Sequence, residues 1–574
     1  MKITLARHSG FCMGVRNAIL RIVHEINKAE EELFVYGPLI HNPQTIDVLH
    51  SRGMKTVNSL DGIEGHSVVI RTHGIPVDEL KYLKQCAARA INLTCPRVAR
   101  VQAIIKKESG RGCHTIITGD RDHAEVTGLM SYASHGVTVI SDLGEITSIP
   151  PSDSFVLVSQ TTFDRSLFNT IVERILARYP NVRVYDTICD STRYRQEDVI
   201  KGILQGNDTL VVVGGKNSAN TKRLAQIGRD NRIKTLHVET EDELHESDFA
   251  DSKSVLVTAG TSTPGWIINN ILEKLYDINF RKGNIIIKAV IALLQFMVRT
   301  NLFSSLTAFF ITLMALDYGG NREGPAFPSL SFLYIFSMYT INNYFDKNLL
   351  KLSNPYKYAI YEKYGLPLLL VSMASMAVSI LIAIRFKMLT VAVIAGSYAL
   401  GFMYSTGPVK GFVRNTMPRL LRKIYNSKIV VCFGWTIITV LVPMIESSVA
   451  VTAVVSFSSF VFSLIFLRTA LLDLIAFQGD LILGRETLPV MTGTRTIGIL
   501  SLAMSLAAMA CFGTITAMMG SWLYLSLLVP LVYYAVLMYI IQRLNYLISL
   551  KYELLVDLNL VFVIACHFLI HYAL

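Results

Sequence analysis

The chain has 574 residues, 54 Lys and Arg against 43 Asp and Glu, a net charge of +11 and 51% hydrophobic residues. That length is too great for one core, so two or more domains are expected. A mean hydropathy of +0.42 is high for a soluble protein, and many basic residues fall in loops between apolar runs, which speaks against nucleic-acid binding and for a membrane protein with positive cytoplasmic loops.

The composition changes sharply near residue 280. From about Ile285 onward, runs such as "LPLLLVSMASMAVSILIAI" and "LTVAVIAGSYALGFMY" are each about long enough to cross a bilayer as a helix. The opening "MKITLARHSGF" lacks the apolar core of a secretory signal, so the polar half is expected to stay in the cytoplasm. The expected organisation is a first domain at 1–278, a linker at 279–287 and a membrane domain at 288–574. Eight cysteines spread along such a chain argue against a disulfide framework. Any that sit at element junctions are expected to serve a metal or redox centre.

In chain order, Cys12 in "SGFCMGVRNA" follows a short strand and opens a helix. The strands of "LFVYGPLIHN" and "SVVIRTHGIP" end in loops carrying His41 and His73. In "INLTCPRV", Cys95 sits where an apolar strand gives way to a helix begun by Pro96. Next come "TIITGDRDHAEVTG" with His123 and Glu125, and "SFVLVSQTT" with Thr161. "YDTICDSTRYRQ" presents Cys189. "LVVVGGKNSANTKRL" presents Ser218, Ala219 and Asn220, and "SVLVTAGTSTPGW" presents Ser262. Cys12 to His41, Cys95 to His123 and Cys189 to Ser218 span 29, 28 and 29 residues. Strand–Cys–helix, strand–loop–helix, strand–loop–helix is therefore read three times over. It predicts three α/β units, each with a small parallel sheet, whose functional loops gather beyond the carboxyl ends of the strands. Pseudo-threefold packing would bring the three cysteines to the centre, with the loop residues around them. Cys86 and Cys113 break the pattern and are expected to be packing residues.

Three thiolates suit a soft metal. An electron-transfer iron–sulfur cluster normally takes four cysteines; with three, one iron keeps an open position and can act as a Lewis acid. A structural zinc site is the rival, although such sites usually show close Cys pairs. Three buried thiols at strand ends are the plain structural alternative. Glycine and small hydroxyl residues at a helix start present N–H and O–H groups to an anion, and "GGKNSAN" has the make-up of a phosphate loop; the plain alternative is N-capping. Glu125 could carry a proton or simply favour the first turn of its helix.

Residues 1 to about 275 resemble the 4-hydroxy-3-methylbut-2-enyl diphosphate reductase family (IspH/LytB). The motifs are "GFCMGV", "PLIHN", "RTHGIP", "NLTCP", "GDRDHAEVTG", "SQTT", "TICDST", "NSAN" and "TAGTSTP", in order across the domain. The resemblance implies that Cys12, Cys95 and Cys189 hold a [4Fe–4S] cluster whose free iron takes the substrate hydroxyl. It implies that His41, His73, His123, Thr161, Ser218, Asn220 and Ser262 hold the allylic diphosphate, and that Glu125 lies on the proton path. Ala219 stands where family members often have a second serine, leaving its backbone N–H, and Ala124 replaces the usual proline between His123 and Glu125. Electrons would come from an external ferredoxin or flavodoxin, since no flavin or nicotinamide fingerprint is present.

The second half shows nine apolar segments, near 288–314, 326–342, 365–384, 388–404, 429–445, 450–472, 497–518, 522–541 and 553–573. Placing the long basic loops inside puts the amino terminus in the cytoplasm, which makes this a multi-pass protein of the inner (cytoplasmic) membrane. "INNYFDKNLLKLSNPYK" and "LLDLIAFQGDLILGRETLPVMTG" begin with acidic residues at membrane ends, where carboxylates are functional candidates and can hold Mg2+ that bridges a diphosphate. Helix-end anchoring is the alternative. "NNYFD", "YSTGP" and "DLIAFQGD…GRETLPV" resemble the UbiA superfamily of intramembrane prenyltransferases. The resemblance implies an all-α polytopic domain acting on a lipophilic acceptor in the lipid bilayer. Asn342, Asp346, Asp473 and Asp480 would serve Mg2+, with Lys357, Lys410 and Arg485 near them in sequence. Asn343, Leu350 and Ala476 occupy positions where acidic residues are common, which lowers the charge available to magnesium. A non-catalytic anchor or prenyl-lipid binding module is the second expectation, and an iron–sulfur sensor the third.

Overall fold

The runs His114–Thr118, Phe155–Ser159 and Thr209–Val213 are buried at every position. Such continuous burial, rather than alternation, is what a parallel sheet covered on both faces produces. The computed structural model describes residues 1–574 apart from 29–30, 282–284, 319–324, 348–349, 351–353, 406–427, 484–486, 519–525, 527, 544–548 and 574. The chain divides into two units, Met1–Asn279 and Phe280–Leu574.

In the first unit the order is β1 (Lys2–Leu5), α1 (Met13–Lys28), β2 (Leu33–Tyr36), α2 (Pro43–His50), β3 (Met54–Val57), β4 (Ser67–Ile70), α3 (Val77–Cys86), β5 (Arg89–Asn92) and α4 (Pro96–Ser109). Then come β6 (His114–Thr118), α5 (Ala124–Met130), β7 (Val137–Ile140), β8 (Phe155–Ser159), α6 (Arg165–Arg178), β9 (Val182–Val184) and α7 (Asp190–Leu204). The unit ends with β10 (Thr209–Val213), α8 (Ala219–Asp230), β11 (Lys234–Val238), β12 (Ser254–Ala259) and α9 (Gly265–Arg281).

Three four-stranded parallel sheets result, in the orders β3-β2-β4-β5, β7-β6-β8-β9 and β11-β10-β12-β1. The frame differs from the expected one by one strand. Each cysteine strand is an edge strand closing the sheet of the preceding repeat, and β1 closes the last sheet by pairing Lys2 with Ser254 through Leu5 with Val257. Each sheet also has a fourth strand, β3, β7 or β11, beyond the three read from sequence. Alternate residues serve opposite cores: Ile116 and Leu157 pack with Phe168 and Ile171 of α6, while Ile117 and Val158 pack with Val101 of α4 and Val126 of α5. Cys113 is buried in the second of these cores.

The second unit is helical, around a core that includes Tyr318, Trp435, Phe457, Phe460 and Phe512. Among the described residues, three helices are long and apolar enough to cross a membrane, Lys357–Ala383, Ile429–Glu446 and Val451–Phe477. A bent pair, Ala289–Arg299 and Leu302–Tyr318, makes a fourth if it is one span. The expected single segment at 288–314 is thus two helices bent by 74°, with Asn301 at φ 64° at the break. Shorter apolar helices include Met388–Met403, Thr494–Ala510 and Leu528–Ile541. The expected linker at 279–287 contributes to α9, which runs through Arg281, and to a helix starting at Ile285.

Candidate active site

Every strand that leads to a cysteine ends beside a strand that leads to a site loop, and the same hydrogen bond joins the two each time. Cys12 N–H donates to the carbonyl of Thr261 (3.0 Å), Cys95 N–H to Thr72 (2.9 Å) and Cys189 N–H to Thr161 (2.9 Å). Cys95 and Cys189 are the N-caps of α4 and α7, and Cys12 immediately precedes α1. The sulfurs therefore stand at three helix N-termini, where the helix dipole and free N–H groups favour negative charge. Cys95 packs over Gly14: a Cβ there would lie 2.6 Å from the Cys95 sulfur and 3.9 Å from that of Cys12. Burial, the first cause, raises the thiol pKa of Cys95 and Cys189. The Cys12 thiolate adds to both shifts, while backbone N–H groups of Arg97 and Val98, and of Ser191 and Thr192, oppose them. Three soft donors that sense one another's charge, on helix starts from three different sheets, fit an iron–sulfur cluster.

The histidines meet beside this group. Ring centroids lie 4.7 Å apart for His41 and His73, 6.0 Å for His41 and His123, and 5.6 Å for His73 and His123. One ring nitrogen of each lies within 4.8 Å of the others. Burial holds all three pKa values down, that of His41 at about 4, with Arg71 adding to each shift, so the rings are neutral at pH 7. His123 is the N-cap of α5, and its Nδ1 accepts from Glu125 N–H (3.1 Å), which leaves Nε2 as the donor. His41 Nε2, His73 Nδ1 and both side-chain polar atoms of Asn220 are buried without partners among the described residues. Leaving such atoms unpaired costs about 1–3 kcal/mol each, so these atoms are set to meet a polar ligand.

Glu125 is 2% exposed. Its carboxylate accepts from Thr161 N–H (2.7 Å) and from Thr161 Oγ (2.9 Å). Burial outweighs both bonds and pushes its pKa up to about 7, a value suited to proton transfer near neutrality. Ser218 caps α8, with Ala219 and Asn220 in its first turn, and Ser262 Oγ donates to the His41 carbonyl (3.4 Å). Sequence reasoning missed Arg71, whose charge bears on all three histidines; it stands in the quoted "RTHGIP" two residues before His73.

The membrane unit is less convergent. Asn342 lies on the helix Ala326–Phe345, which Asp346 caps, and Asn342 Oδ1 is buried without a partner among the described residues. Asp473 and Asp480 were expected at the start of a loop; instead they are buried within the helix Val451–Leu483, which runs about three turns past the expected end at 472. Asp473 is ion-paired with Lys428, a residue sequence reasoning passed over in a basic loop. Lys357 donates to Asn301 Oδ1 (3.0 Å). Lys410 and Arg485 lie outside the described residues.

The LytB protein family matches residues 3–276. The 4-hydroxy-3-methylbut-2-enyl diphosphate reductase of Geobacter sulfurreducens is 37% identical over 282 residues, 49% of this chain and 99% of that protein. A solved structure of (E)-4-hydroxy-3-methyl-but-2-enyl diphosphate reductase is 31% identical and covers 48% of this chain and 100% of its own, with a TM-score of 0.39. A UbiA homologue from Archaeoglobus fulgidus bound to GPP and Mg2+ is 14% identical and covers 47% of this chain and 98% of its own, with a TM-score of 0.34.

Proposed function

Because the chain belongs, through residues 3–276, to the LytB family of 4-hydroxy-3-methylbut-2-enyl diphosphate reductases, we propose that its first unit removes the hydroxyl of that allylic diphosphate. Two electrons and two protons are consumed, the C–O bond breaks, water leaves, and isopentenyl or dimethylallyl diphosphate results. The observation that carries this reading is the convergence of three cysteine-bearing helix starts with three neutral histidines and a buried carboxyl whose pKa burial raises to about 7. When bound on Cys12, Cys95 and Cys189, a [4Fe–4S] cluster supplies single electrons and a Lewis-acid iron.

The chain's own residues do the rest. His41, His73, Ser218 and Asn220 offer N–H and O–H donors to the diphosphate, Ser262 would do so by turning its O–H away from the His41 carbonyl, and the backbone N–H of Ala219 lies in the first turn of α8. His123 donates through Nε2. Glu125 holds a proton, and the two Thr161 donors fix its carboxyl in place. A ferredoxin or flavodoxin is the proposed electron source. Anaerobic reconstitution should give about four irons per chain; Cys95→Ser should lose both iron and turnover. A Cys95→Ser protein with full activity would overturn the assignment.

For the second unit we infer a multi-pass domain in the cytoplasmic membrane, its first unit on the cytoplasmic side. We infer a prenyl transfer to a lipophilic acceptor that uses Mg2+ at Asn342, Asp346, Asp473 and Asp480. The ion pair between Asp473 and Lys428 favours the second reading, a non-catalytic anchor or prenyl-lipid binding module, because it neutralises one of three carboxylates. Titration with geranylgeranyl diphosphate separates the two: magnesium-dependent binding lost in Asp346→Ala, Asp480→Ala supports transfer, and unchanged binding supports the anchor.

A further inference from the structure

One face of α8 is a cationic stripe. Ala219, Lys222, Arg223, Gln226 and Arg229 recur at three- and four-residue spacing, which puts them on one side of the helix. Asn220, Thr221, Leu224, Ile227 and Gly228 bury the other side. Together with Asp120, Lys216 and His237, the stripe lines a groove of about 520 Å3. Two of the cations are engaged: Arg223 pairs with Asp164 (2.7 Å) and Lys216 with Glu243 (2.6 Å). Lys222 and Arg229 are exposed and make no ion pair among the described residues. Among the described residues Asp120 is the one carboxylate lining the groove, and burial lowers the pKa of His237.

The groove ends at the site just described. Ala219 follows the N-cap Ser218, Asp120 precedes His123 by one loop, and the charge of Lys222 reaches the His41 ring, where it opposes protonation. Seven residues of helix separate Lys222 from Arg229 in sequence, about 10 Å of rise, close to one Debye length at 0.1 M salt. Both charges therefore act at once on an anion in the groove at low salt, and hardly at all at high salt.

We propose that this groove is the approach route for the diphosphate end of the substrate. Lys222 and Arg229 form an outer anion subsite that captures the diphosphate and hands it along α8 to Ser218, Asn220 and the histidines. The proposal rests on the reading of the first unit as an allylic diphosphate reductase. A cleft lined by one sign of charge raises capture by about 10–10³-fold; here four cations face one carboxylate, Asp120, so the gain belongs at the low end of that range, and the effect belongs to KM rather than to the chemical step.

The test uses the full chain in detergent, cluster-loaded, with Lys222→Glu, Arg229→Glu introduced together. At low salt, kcat/KM for the allylic diphosphate should fall by about tenfold or more, with kcat within twofold, and at high salt the two proteins should converge. Lys222→Arg should behave as wild type. An unchanged kcat/KM at low salt, or a deficit equally large at high salt, overturns the proposal. Calorimetric titration with inorganic diphosphate gives a readout independent of turnover: the wild-type affinity should fall with salt more steeply than that of the double variant, and equal slopes overturn the route. Absence of turnover in the wild type, with the slopes still different, would count against the reductase reading and leave the groove standing.

Discussion

Glu125 carries two opposed influences, burial and a pair of Thr161 donors, and burial wins. A proton donor with a pKa of about 7 is loaded below that pH and empty above it, so turnover should be flat in mildly acidic buffer and fall as pH rises through about 7. Glu125→Gln should lower kcat by roughly 10²-fold or more, leave iron content unchanged and abolish that limb of the pH profile. The same shift has a sign for stability. The folded state binds this proton more tightly than the unfolded chain, whose carboxyl titrates at 4.5. The contribution is complete below pH 4.5 and is lost as pH rises to about 7, so wild type should lose more thermal stability than Glu125→Gln across that window. A second residue-scale test is Gly14→Ala. The new methyl would stand 2.6 Å from the Cys95 sulfur, so iron recovered on reconstitution should drop well below four per chain while far-ultraviolet dichroism stays unchanged.

Between elements, the ion pair most exposed to test joins the helix Val451–Leu483 to Ser549–Asp557. Arg468 meets Asp557 at 2.8 Å and Ser304 Oγ at 2.7 Å, with both ionised side chains 8% exposed. Asp557→Ala strands a buried guanidinium and should cost about 3–5 kcal/mol, read as a lower unfolding temperature in detergent. Arg468→Met together with Asp557→Leu should recover most of it, because the charge is removed with its partner. Elements of this kind mark where the sequence was legible and where it was not. The cysteine and histidine loops could be read because each pairs an apolar strand with a glycine-bearing polar turn at a repeated spacing. The half-exposed edge strands β3 and β11 carry no such signal. Strand pairing is not written in any single segment, so the repeat frame was set one strand too early. The bend at Asn301 has neither proline nor glycine to announce it, and Lys428 looked like one more basic loop residue until the fold placed it on Asp473.

At the scale of the molecule, two units with separate cores imply two unfolding events. Metal removal should act on one of them: iron chelation, or Cys95→Ser, is expected to lower the first unit's unfolding temperature and leave the helical unit's unchanged, as followed by calorimetry. The pairing of β1 with β12 has a further consequence for how the protein is made. Cys12 leaves the ribosome early, yet the strand that carries it has no neighbour until Val257 has been synthesised. At roughly 5–20 residues per second that delay is on the order of 10–50 s. Throughout it β1 has no sheet to join and one of three sulfurs is unplaced, so a metal centre on those sulfurs can be completed only late, when the helical half is already next in line for translation.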